Sequence, residues 1–287
     1  MVGKWCRAAA CLSALVVCAP AAPPQRIVST APSITEMLFA LGLGDRVVAV
    51  TTFCRYPPEA AAKPKIGDYL RPNLEAILAL RPDLVLVEKS MIRRSLALPA
   101  FRGNVVEVDD TDLEGVLASI RRIGEACGVP GRAQQLIQQI RWELDQVRRR
   151  TAFLPRRRVL LVVGRTPGRI EDLIAAGRHS YLHELLEIAG GANIVADASA
   201  AYVKVSLEEV LARNPEIIVD FGDMSQAVPS PDRGRAVARL WSRYPNLAAV
   251  KTGRVYGVAA DPFVVPGPRV AQAARRLAAL LHPEAGF

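Results

Sequence analysis

One stretch of this chain occurs twice. The first copy runs from Tyr69 through Asn73, Leu74 and Glu75 to Pro82 and the apolar run Leu84–Val87. The second runs from Tyr202 through Ser206, Leu207 and Glu208 to Pro215 and the run Ile217–Val219. In both, Glu lies six residues after the Tyr and Pro seven after the Glu. Each copy follows the same physical order: a polar N-cap opens a short helix, the helix stops before an x-Pro-acid turn, and an apolar β-branched run follows. Such a run without alternation reads as a strand buried on both faces, hence part of a parallel sheet. Two copies this far apart do not make a solenoid. They predict two lobes of similar α/β build, each presenting one Tyr and one Glu at the same edge.

The rest of the chain agrees with βα alternation. Strands are expected at 26–29, 46–51, 105–108, 158–163 and 254–259. Helices are expected from Pro32 to Gly42, with Ser33 and Glu36 spaced as a capping box, and over 91–101, 112–127, 180–189, 236–244 and 269–281. The longest helical signal is Pro130 to Arg150, with Leu136, Ile140, Leu144 and Val147 at helical spacing. It reads as a long helix carrying the chain from one lobe to the other. The expected organisation is a leader at 1–22, an α/β lobe at 23–129, the linking helix at 130–153 and a second α/β lobe at 154–287.

The leader has a basic start (Lys4, Arg7), an apolar stretch from Ala8 to Ala19 too short to span a bilayer, and small residues at Ala19-Pro20-Ala21. This predicts export to the periplasm. Cys18 is the alternative lipid attachment point, although Val17 before it fits a lipoprotein signal poorly. Cys54 and Cys127 are the cysteines left beyond the leader, as a disulfide or as two buried thiols; their spacing has no metal-ligand pattern.

At 287 residues, 51% of them apolar, the chain can bury two cores and is not disordered. The net charge of +9 sits largely in runs such as Arg148–Arg150 and Arg156–Arg158, which read as solvated helix and linker ends. No aromatics interleave with them and no nucleic-acid module is present.

Ligands of open α/β sheets lie beyond the carboxyl ends of the strands. The loops carrying Tyr56, Tyr69, Arg165, Tyr202, Asp261 and Phe263 lie near such ends, and prolines stiffen two of them, at Pro57-Pro58 and at Pro262, Pro266 and Pro268. They are expected to face one another across an interlobe cleft, the usual place for a small molecule. Glu75 and Glu208 also suit a simple helix-dipole role. As a matched pair they suit docking onto a two-fold partner with basic sites.

No catalytic set is visible. Glycine-rich phosphate loops and a nucleophile elbow are missing. His179 and His183 lack a carboxylate between them and make no convincing metal site; His183 is expected on a helix surface. Asp109, Asp110 and Asp112 read as capping acids. The chain is therefore expected to bind rather than to catalyse, with no catalytic cofactor; the rival from another class is an exported two-domain hydrolase.

At these residues the chain resembles the periplasmic metal-chelate-binding proteins of ABC importers, the superfamily of vitamin B12-, siderophore- and haem-binding proteins, and most nearly its vitamin B12-binding branch. The matching stretches are Arg26 to Glu36, Tyr56-Pro-Pro, Asn73-Leu-Glu75 with Arg81-Pro-Asp-Leu-Val, Val205-Ser-Leu-Glu208 with Val210-Leu-Ala-Arg213, and Asp261-Pro-Phe263 with Pro268-Arg269. The resemblance implies two α/β lobes joined by one long helix and a monomeric binder that delivers a chelate to a permease dimer. The implied ligand is cobalamin or a related corrinoid, with haem or a siderophore as the alternative. It implies that Glu75 and Glu208 pair with permease arginines, that Tyr56 touches the corrinoid, that Tyr69 and Tyr202 replace wall tryptophans, and that Asp261 is a cleft acid. Glu88 stands where an aromatic is expected and Val265 where an arginine is expected. The anionic-ligand alternative would draw on Arg71, Arg165, Arg169 and Lys204.

Overall fold

The computed structural model describes residues 22–68, 71–89, 104–222, 232–258 and 262–287. Tyr69, Asp261, the leader and the helix expected over 91–101 lie outside them.

The first half is built from β1 (Ile27–Ser29), α1 (Pro32–Ala40), β2 (Val47–Ala49), α2 (Pro58–Ala61), α3 (Leu74–Ala79), β3 (Leu84–Glu88), β4 (Asn104–Val108) and α4 (Leu113–Ala126). Its sheet has the order β2-β1-β3-β4, and every pairing is parallel. The first repeat supplies α3 and β3. Asn73 caps α3 by accepting from the Ala76 amide at 3.0 Å, and Leu84–Val87 is buried on both faces.

α5 (Pro130–Thr151) follows, with Pro130 in its first turn and 22 residues in all. At 1.5 Å per residue it is about 33 Å long. One stripe, Ala133, Ile137, Ile140, Leu144 and Val147, is buried. This stripe packs on α4 from the first half and on helices α6 and α10 from the second. A helix gripped from both sides cannot act as a loose tether.

The second half holds β5 (Arg157–Gly164), β6 (Leu173–Ala176), α6 (Tyr181–Ile188), β7 (Gly191–Asn193), β8 (Tyr202–Val205), α7 (Leu207–Arg213), β9 (Ile217–Asp220), α8 (Arg233–Trp241), α9 (Ala248–Lys251), β10 (Val255–Gly257) and α10 (Val270–Leu281). Its sheet runs β10-β9-β5-β6-β8, with β7 beside β5. The second repeat supplies α7 and β9, and Ser206 caps α7 by accepting from the Glu209 amide at 3.1 Å. β10, β9, β5 and β7 are parallel, as expected. The β5–β6 and β6–β8 pairings are antiparallel, so this sheet is mixed. The chain returns after β5 through a tight turn with Gly168 and Asp172 at φ of 72° and 51°, conformations that glycine and aspartate accept most readily. The segment before the second N-cap is thus a strand, β8, and not merely a lead-in.

Two sequence expectations change, and of the two alternatives given for the cysteines the structure shows buried thiols. Ser33 and Glu36 form no capping box: Ala31 is the N-cap, Pro32 fills the first turn, and no side chain caps α1. His183 is buried, not on the surface; its Nδ1 lies 3.2 Å from the Asn193 side-chain nitrogen. Cys54 and Cys127 are two separate buried thiols. Cys54 Sγ accepts from the Thr35 hydroxyl at 3.1 Å, and burial raises the Cys127 thiol to about 11.

Candidate functional site: an acid-floored cleft between the lobes

The carboxyl ends of β1, β3 and β4 place Ser33, Glu88 and Asp110 together. The Ser33 hydroxyl donates to Glu88 Oε1 at 3.3 Å. Asp110 has one carboxyl oxygen buried without a hydrogen-bond partner. Burial is the main cause that pushes its pKa up; the Asp109 charge adds to this, while Ser33 and Glu88 partly offset it. Its neighbour Asp109 is held down chiefly by a hydrogen bond from the Thr111 hydroxyl, with Lys89 at 3.1 Å helping.

The second lobe closes on this floor through backbone and side chain. The Tyr181 amide, at the start of α6, donates to the Thr111 carbonyl at 2.9 Å, and its hydroxyl donates to the Phe263 carbonyl. Tyr181 is fully buried, which raises its phenol pKa, and the nearby Tyr202 and Asp110 add to that rise. Tyr202 itself is 46% exposed. It thus lies near the buried Tyr181 while staying open to solvent.

A second junction ties α1 to the last helix. Arg269 Nε donates to Glu36 Oε2 at 2.8 Å, and its terminal nitrogen donates to Oε1. The same guanidinium lies 4.0 Å from the ring centroid of Tyr56. Tyr56 is 45% exposed, so one face is stacked while the rest stays open.

Two expected wall residues are elsewhere. Phe263 is completely buried, its ring 5.1 Å from that of Phe221. An apolar ring gains most by leaving water, and the rigid loop supplies a covered site for it. Arg165 is spent on the buried Asp220, with Nε donating to Oδ2 at 2.9 Å and both side chains nearly inaccessible. Trp241 Nε1 and the Gly222 amide complete the partners of Asp220, at 2.9 and 2.7 Å. This set closes the ends of β5 and β9.

Two of the other three cations considered for an anionic ligand are also paired, Lys204 with Asp172 at 2.7 Å and Arg169 with Glu171 at 3.5 Å, while exposed Arg71 is held only through its backbone amide, which donates to Asp68 Oδ1 at 2.6 Å. Glu75 and Glu208 are both exposed in the first turns of α3 and α7. Glu208 is held below the usual glutamate range, mainly by its own backbone amide and then by the Ser206 hydroxyl. Among the described residues no cluster of three or more metal-ligating side chains occurs.

Sequence reasoning missed Ser33, Tyr181 and the Glu36–Arg269 pair as site-forming groups. Glu88 was marked only as an acid where an aromatic is expected, and Asp110, two residues after β4, only as a capping acid.

Two α/β sheets, a helix packed against both halves and polar groups gathered at the strand ends where they meet fit a two-lobed ligand-binding protein. The chain belongs to the periplasmic binding protein family, which matches residues 27–262. It is 33% identical over 270 residues to the ABC transporter substrate-binding lipoprotein YvrC of Bacillus subtilis, covering 91% of this chain and 81% of that one. It is 31% identical over 278 residues to the vitamin B12-binding protein of Pectobacterium carotovorum, covering 94% and 93%. Similar solved structures include the vitamin B12-binding protein BtuF of Vibrio cholerae (TM-score 0.76, 25% identity, 92% and 99% covered). The haem-binding protein RhuT of Roseiflexus is also similar (TM-score 0.74, 25% identity, 91% and 99% covered). The chain is thus a substrate-binding protein of an ABC importer of the B12, haem or siderophore type, a binder and not an enzyme, with an importer permease as its partner. No helix among the described residues is long and apolar enough to cross a membrane.

Proposed function

We propose that the cleft captures a corrinoid, cobalamin or a close relative, and hands it to the permease dimer of an ABC importer. The observation that carries this reading is the pairing of Glu88 and Asp110 at the cleft floor. Two carboxyl groups and the Ser33 hydroxyl favour a ligand rich in N–H donors. A corrinoid is rimmed by amides, whereas haem and many siderophores present carboxylates that such a floor repels. Arg165 is committed to the buried Asp220, which removes one of the four cations that the haem or siderophore alternative would draw on. Tyr56 and Tyr202 serve as half-open aromatic walls, joined by Tyr69 and Asp261.

Residues 1–22 act as the export signal in this reading, with Cys18 as the alternative lipid anchor. The lobes divide at 23–129 and 154–287 around the helix at 130–153, and the protein works as a monomer. Glu75 and Glu208 dock one lobe each onto the two-fold permease. Native mass spectrometry of the protein purified from its source tests the ligand: a co-purifying corrinoid mass is expected, and haem or an iron siderophore in its place refutes the assignment.

A further inference from the structure

Beside Glu208 the second lobe carries an open groove of about 940 Å³. It is bordered by the turn from Arg169 to Leu173, by the segment from Lys204 to Glu209, and by Arg243 and Tyr244. Most of its charges are matched within the lobe. Lys204 pairs with Asp172 at 2.7 Å, Arg169 with Glu171 at 3.5 Å, and Glu209 with Arg213 at 2.7 Å. Two charges are left over. Glu208 makes no ion pair among the described residues and turns to its own amide and the Ser206 hydroxyl. Arg243, exposed just beyond α8, makes no ion pair among the described residues. One unmatched acid and one unmatched base therefore border the same groove, over a floor that includes Leu207 and Tyr244.

We propose that this groove receives a periplasmic segment of the permease carrying one cation and one carboxylate, the cation meeting Glu208 and the carboxylate meeting Arg243. The proposal rests on the docking role given to Glu208 and extends it. A single acidic contact per lobe attracts a basic partner but leaves its direction loose. Charges of opposite sign along one groove accept a segment in one direction and oppose the reverse, which is how interfacial charges set register. Tyr244, packed edge-on against Trp241 with centroids 6.4 Å apart, gives the floor a rigid aromatic of the kind enriched at interfaces.

The test is binding to the source organism's corrinoid-transporting permease in lipid nanodiscs, for the wild type, Glu208→Ala and Arg243→Glu. Cyanocobalamin affinity and Tm are measured on the same samples. Arg243→Glu is expected to weaken permease binding by about tenfold and to lower its salt dependence, with cyanocobalamin affinity and Tm unchanged. Wild-type permease affinity in Arg243→Glu, alongside weakened binding in Glu208→Ala, overturns the groove proposal and leaves docking at Glu208 standing. Wild-type affinity in both variants removes the docking role and the groove with it. A loss of cyanocobalamin affinity in Arg243→Glu makes the groove part of a small-molecule site and likewise overturns the proposal.

Discussion

Arg269 and Glu36, 233 residues apart, form a two-pronged ion pair that joins the last helix to the first, and the ring of Tyr56 lies against the same guanidinium. Only 4% of the Glu36 side chain and 16% of the Arg269 side chain are accessible. A candidate ligand-wall residue is thereby anchored to the contact between the two halves of the chain.

Removing one partner of a buried pair strands the other charge. Glu36→Gln should therefore lower stability by about 3 kcal/mol, measured by denaturant unfolding. The double variant Glu36→Gln/Arg269→Gln should lose less than the sum of the two single losses, because no unpaired charge remains. Simple additivity would mean that the two side chains do not act as a unit.

The tyrosines are expected to separate binding from folding. Tyr56 and Tyr202 are nearly half exposed, so truncation removes little core. Tyr202→Ala should weaken cyanocobalamin binding by about 1–3 kcal/mol, with Tyr56→Ala in the same range. Tyr69→Ala, at the matching repeat position, should behave like Tyr202→Ala. A lowered Tm with unchanged affinity would return these rings to a packing role.

The thiols give a sharp chemical readout. In a chain starting at residue 23, Cys54 and Cys127 should resist maleimide at neutral pH, since both are buried and Cys127 is raised to about 11. Both should react after denaturation without any reductant. A demand for reductant would reveal a disulfide.

Titration of the cleft floor has a predictable sign. Asp110 is raised in the folded protein, chiefly by burial, so its contribution to stability is full below its unfolded pKa and is lost as pH climbs through the folded value. Asp110→Asn should therefore raise Tm more at about pH 7 than at about pH 4. His282 works in the opposite direction. Its ring nitrogens are buried without hydrogen-bond partners and burial lowers its pKa, so its contribution is lost as pH falls through the folded value. His282→Gln should flatten the acid side of the profile and leave the Asp110 effect intact. An Asp110→Asn gain that is equal at both pH values would contradict a carboxyl raised by burial.

What could be read in advance was local. The caps at Asn73 and Ser206, the buried runs that became β3 and β9, and the stripe on α5 each depend on neighbours within a few residues. The errors arose where distant groups decided the outcome. Glu36 sits at capping spacing from Ser33, but Ala31 is the N-cap, which puts Ser33 inside the helix, and Arg269 claims the Glu36 carboxylate. Arg165 leaves a strand where a ligand contact is reasonable, yet Asp220, buried at the end of β9, requires a cation and two further donors. Phe263 lies in a proline-rich loop that looks exposed, until Phe221 supplies a partner. The β6–β8 pairing escaped notice because Leu173–Ala176 ends in two alanines and lacks a β-branched run. The matched stretches ending at Glu36 and at Arg269 were visible separately; that they meet in one ion pair was not.

The central claim is tested most directly by calorimetric titration of the ligand-free protein with cyanocobalamin, haem and a carboxylate siderophore under identical conditions. One-to-one binding of cyanocobalamin with a dissociation constant of about 1 nM to 1 µM, and much weaker heats from the two anionic ligands, is the predicted result. Saturable haem or siderophore binding with no heat from cyanocobalamin would contradict the account.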